Sequence, residues 1–108
     1  MSGNVLEGKL VRDRIPEIIR DNGEEPVTYI ADREEYRQRL EAKLLEEVDE
    51  FLEADDEARK GEAADVLEVL LALVAEIGVD PDQLEQIRCA KAHERGGFAD
   101  RVVWTGNR

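Results

Sequence analysis

The chain has 108 residues with 27 acidic against 15 basic side chains, a formal net charge of −12. That length fits one domain around one core, and so acidic a balance excludes general nucleic-acid binding, because phosphate affinity comes from Lys and Arg that release counterions. No apolar run approaches a membrane span and MSGNVLEGK carries no apolar signal core, so a cytoplasmic protein is expected; its one cysteine, Cys89, can make neither an internal disulfide nor a zinc site.

Residues 1–8 read as a loose tail and 9–108 as a single domain. After an extended stretch over 9–12, the run DRIPEIIRDNG predicts a short helix capped by Asp13, with Pro16 in the first turn where a missing N–H costs little, ending near Asn22 and Gly23. EEPVTYIA reads as an extended connector. Asp32 followed by Glu35 is a capping-box pattern, and it opens a helix expected to end near Asp55 with Tyr36, Leu40, Leu44, Leu45, Val48, Phe51 and Leu52 as its apolar residues. DDEARKG reads as a turn.

A third helix is expected from about Glu62 to Ile77. Its segment ADVLEVLLALVA is apolar on nearly every face, as in a helix surrounded by other protein, and Gly78 can terminate it. The fourth helix has Asp80 as N-cap, Pro81 at the first helical position, Gln83 completing a capping box and Gly96 as its stop. FADRVVWTGNR finishes as an extended tail. The expected fold is therefore all-α, a compact bundle of about four helices. The third helix needs more covering than three other short helices give, so a homodimer or a dimer of dimers is expected to complete the bundle.

At about 100° per residue, Leu44, Val48 and Phe51 mark the centre of the second helix's apolar stripe. Glu47 falls inside that arc and Glu50 at its edge, whereas Glu46, Asp49 and Glu53 point elsewhere. A solvated acidic face accounts for the last three and not for Glu47, since burying one unpaired carboxylate costs several kcal/mol. Glu62, Asp65 and Val69 share a stripe of the third helix, with Glu68 a fraction of a turn away. Two antiparallel neighbours would bring Glu47/Glu50 face to face with Glu62/Asp65. Four converging carboxylates, with no paired His or Cys, suit Mg²⁺, with Mn²⁺ as a substitute.

At these residues the sequence resembles the MazG-like all-α nucleoside triphosphate pyrophosphohydrolases, whose pattern is ExxE, a spacer, then ExxD. EEVDE through Glu47 and Glu50, and EAAD through Glu62 and Asp65, match it across a spacer of eleven residues. KLVRDRIPEII near the start and KAHERGGF near the end are similar to the small single-domain house-cleaning branch. The resemblance implies Mg²⁺-dependent hydrolysis of a nucleoside triphosphate between the α and β phosphates. It implies Glu47, Glu50, Glu62 and Asp65 as metal ligands, with Glu46 or Glu68 orienting or deprotonating water. Phosphate contacts are expected from Lys91, Arg95, Arg12 and Arg14. A nucleotide is the expected partner, with no nucleic acid and no membrane. Two alternatives stand beside this reading: phosphoribosyl-ATP pyrophosphohydrolase, which shares the acidic helices, and a non-catalytic interaction or regulatory protein that retains them.

Overall fold

The computed structural model describes residues 8–108, so the expected tail lies outside the described residues except for Gly8. Among the described residues there are four α-helices and no strand: α1 Ile15–Asp21, α2 Arg33–Glu53, α3 Asp56–Glu76 and α4 Pro81–Arg95. The fold is all-α, as the patterning predicts. None of these helices is long and apolar enough to cross a membrane.

Local chemistry sets each boundary. Asp32 caps α2 by accepting from the Glu35 N–H at 2.9 Å. The Glu35 side chain does not complete a capping box, because it accepts instead from Tyr29 Oη at 2.5 Å and Arg39 Nε at 2.7 Å. At α4 the box is complete, with Asp80 and Gln83 exchanging both 2.9 Å bonds. Gly78 and Gly96 stop α3 and α4 at φ of 84° and 81°, where a side chain would be strained.

Two boundaries differ from the sequence-based expectation. Asp13 does not cap α1; Arg14 occupies that position with no side-chain cap, after a turn closed by the Ile15 N–H on the Arg12 carbonyl at 3.0 Å. DDEARKG is not a turn. Asp55 accepts from the Ala58 N–H at 2.9 Å and starts α3 six residues before Glu62, with Asp56 and Glu57 favouring the positive end of the helix dipole. Gly61 is carried inside the helix, and only Ala54 and Asp55 connect α2 to α3.

A two-residue connector forces α2 and α3 into an antiparallel hairpin, which is the main packing unit. Glu47 and Glu62 lie at matching distances along the chain from it. Leu40 and Val69 match again two helical turns further on. Leu40 and Val69 are the two buried apolar side chains among the described residues. Leu45, Leu52, Leu67 and Leu70 stay exposed on the hairpin, as do Phe98, Val102, Val103 and Trp104 in the tail beyond α4. The radius of gyration is 18.3 Å, where a closed domain of about 100 residues would have roughly 13 Å. One copy thus leaves much apolar surface uncovered.

Candidate metal centre

The hairpin register builds the site. Glu47 from α2, with Glu62 and Asp65 from α3, each offer an oxygen, and the three lie within 4.8 Å of one another. Glu47 is 8% exposed, the one buried charged residue among those described. Its Oε2 and the Oε2 of Glu62 are buried without a hydrogen-bond partner. Covered carboxylate oxygens without donors cost free energy, so their convergence is what a hard oxygen-seeking cation would relieve. The donor set and its orphaned oxygens fit such an ion.

Charge on the cluster is partly compensated from two sides. Lys43, one turn before Glu47 on α2, places Nζ 3.8 Å from Glu47 Oε1. Arg12 Nη2 donates to Asp65 Oδ1 at 2.7 Å from the coil before α1. Burial still pushes the Glu47 carboxyl above its ordinary value, and neighbouring Glu50 and Asp65 push the same way, with Lys43 opposing.

Glu47 and Asp65, though not Glu62, line a cleft of about 230 Å³ together with Arg12, Asp13, Tyr36, Lys43 and Glu68, with Leu40 and Val69 in its wall. Small-molecule sites run to roughly 300–1,000 Å³, so one chain supplies room for a polyphosphate more readily than for a whole nucleotide.

The expected site residues separate into groups. Glu47, Glu62 and Asp65 converge. Glu50 is exposed beside Glu47 and outside the group of three. Glu68 opens into the same cleft, whereas Glu46 lines an adjoining depression with Lys9 and Arg39 that shares Leu10 and Lys43 with the cleft. Arg12 reaches the cluster; Arg14 is turned to Glu17 at 3.2 Å. Lys91 and Arg95 sit exposed on α4, which contributes no lining group to the cleft. Lys43 and Tyr36 were not anticipated as site residues. The signal for Lys43 was its position one helical turn before Glu47.

A family model described as phosphoribosyl-ATP pyrophosphohydrolase matches residues 13–92, which span both acidic helices. That family is part of the MazG-like all-α pyrophosphohydrolase superfamily. Within it, the chain belongs to the phosphoribosyl-ATP pyrophosphohydrolase family. An uncharacterised protein of Mycolicibacterium smegmatis is 53% identical over 47 residues, covering 44% of this chain and 48% of that relative. The chain therefore aligns with about half the length of that relative. No solved structure matches.

Proposed function

We propose that the protein hydrolyses a nucleoside triphosphate between the α and β phosphates, releasing the monophosphate and pyrophosphate. The observation that carries this reading is the convergence of Glu47, Glu62 and Asp65, two of them with buried, unpartnered oxygens, in a chain of a pyrophosphohydrolase family. Glu47, Glu62 and Asp65 would hold Mg²⁺ or Mn²⁺, with Glu50 at the edge. Bound there, the cation would neutralise polyphosphate charge and supply Lewis acidity.

The chain's own groups do the rest. Arg12 faces the cleft with donors suited to phosphate oxygens. Glu68, open to the same cleft, takes the proton of a water whose oxygen bonds to the α phosphorus while the bond to the bridging oxygen breaks and pyrophosphate leaves with the electron pair. Glu46 lines an adjoining depression that shares Leu10 and Lys43 with the cleft, so the step is assigned to Glu68. Because α4 lines no part of the cleft, Lys91 and Arg95 serve a bound nucleotide in this reading only from a second copy of the chain.

Phosphoribosyl-ATP is the second candidate substrate, favoured by the description of the matching family. The house-cleaning reading rests instead on KLVRDRIPEII and KAHERGGF, and the match begins at Asp13 and stops at Ala92, leaving part of both motifs outside it. Incubation of the protein with Mg²⁺ and either common triphosphates or phosphoribosyl-ATP, with pyrophosphate and orthophosphate measured separately, tests the assignment. Pyrophosphate from one class supports the corresponding substrate. No pyrophosphate from any of them would leave the non-catalytic reading standing.

A further inference from the structure

Arg12 and Asp65 lie 53 residues apart in sequence, yet the guanidinium donates to the carboxylate at 2.7 Å. Asp65 belongs to the three-carboxylate cluster, so the chain's own cation sits on a carboxylate that a metal ion would share. The pair is open to solvent, with side chains 56% and 42% exposed. Exposed ion pairs are weak and screened, hence easily exchanged. Arg12 precedes α1 in irregular backbone, and the same cleft that receives it is lined by Lys43 and Tyr36, leaving room for an anion beside it.

We propose that Arg12 is an exchangeable stand-in for the metal ion: it neutralises Asp65 in the metal-free protein, is displaced when a divalent cation binds, and is thereby freed for the phosphates of the substrate. Cation and polyphosphate then bind with positive coupling, because the first releases a donor for the second. This rests on the metal-dependent reading above and adds to it an order of events.

The test uses Mn²⁺ alone and inorganic tripolyphosphate alone, by calorimetry, on wild type, Arg12→Ala, Asp65→Asn and the double variant, with helicity checked by circular dichroism. Removing the competing guanidinium should tighten Mn²⁺ binding about two- to five-fold, the range set by an exposed ion pair. In EDTA, Asp65→Asn frees Arg12, so it should tighten tripolyphosphate binding by a similar factor in the presence of Arg12 and by less in the Arg12→Ala background. Simple charge repulsion forecasts the reverse, an equal or larger gain once Arg12 is gone. An equal or larger gain, or Mn²⁺ affinity unchanged in Arg12→Ala, would overturn the proposal while leaving the metal site intact. Absence of Mn²⁺ binding to wild type would remove the underlying reading as well.

Discussion

Lys43 holds its ammonium 3.8 Å from Glu47 Oε1 one turn along α2, with both side chains more than four-fifths covered. A carboxylate in that position depends on its cation when no metal is present. Lys43→Ala should therefore destabilise the protein in EDTA by roughly 1–3 kcal/mol, the penalty of a covered polar group left without its partner. Millimolar Mg²⁺ should recover much of the loss. Urea titrations of both proteins with and without metal check this; a loss of the same size in both conditions would show that Lys43 acts through packing alone.

The Glu47 carboxyl is shifted upward chiefly by burial, then by Glu50. Folding therefore favours its protonated form. The contribution is fully present below the ordinary carboxylate pKa of about 4.3 and is lost as pH rises through the higher folded value. In EDTA, stability should fall across the interval just above the ordinary value, and Glu47→Gln should flatten that stretch of the profile. Added Mg²⁺, which needs the ionised carboxylate, should reverse the trend by stabilising more as pH rises. Melting curves at stepped pH decide it.

Asp65→Asn removes a cluster charge but also the Arg12 ion pair, which at its exposure is worth at most about 1 kcal/mol. The two effects oppose each other. In EDTA the variant should melt within a few degrees of wild type. In excess Mg²⁺ it should lack the roughly 2.7 kcal/mol that a ligand at one hundred times its dissociation constant confers, on the order of several degrees for a domain of this size. Nearly all hydrolysis should disappear with it. Equal responses of both proteins to metal would show that Asp65 is not a ligand.

The burial of Glu47 and the start of α4 were legible because α-helical periodicity and capping are local. Glu47 lay inside the stripe of Leu44, Val48 and Phe51, and it is buried; Asp80, Pro81 and Gln83 wrote out the start of α4, and all three act as expected. The start of α3 was missed because Gly61 and the charges of DDEARKG resemble a turn, whereas the Asp55 cap outweighs one glycine in a long helix. The uncapped start of α1 and the Arg12–Asp65 contact depend on how distant segments dock, which no local pattern encodes. Glu50 was placed with the ligands by its motif, yet its side chain stays exposed at the hairpin's edge.

Leu45 and Leu67 are 69% and 51% exposed in the single chain. We propose that a homodimer or dimer of dimers covers this apolar surface through the hairpin. Leu45→Asp with Leu67→Asp should shift the protein toward monomer in light scattering and lower its melting temperature. A wild-type monomer at micromolar concentration in low salt would contradict the expectation.

The central claim, attack at the α phosphorus dependent on the Glu47–Glu62–Asp65 cluster, is tested most directly by hydrolysing the substrate in heavy-oxygen water and locating the label by mass spectrometry. The label should enter the nucleoside monophosphate and not the pyrophosphate, and turnover should cease in EDTA and in Asp65→Asn. Label in pyrophosphate or in orthophosphate, or turnover that persists in EDTA, would contradict the account.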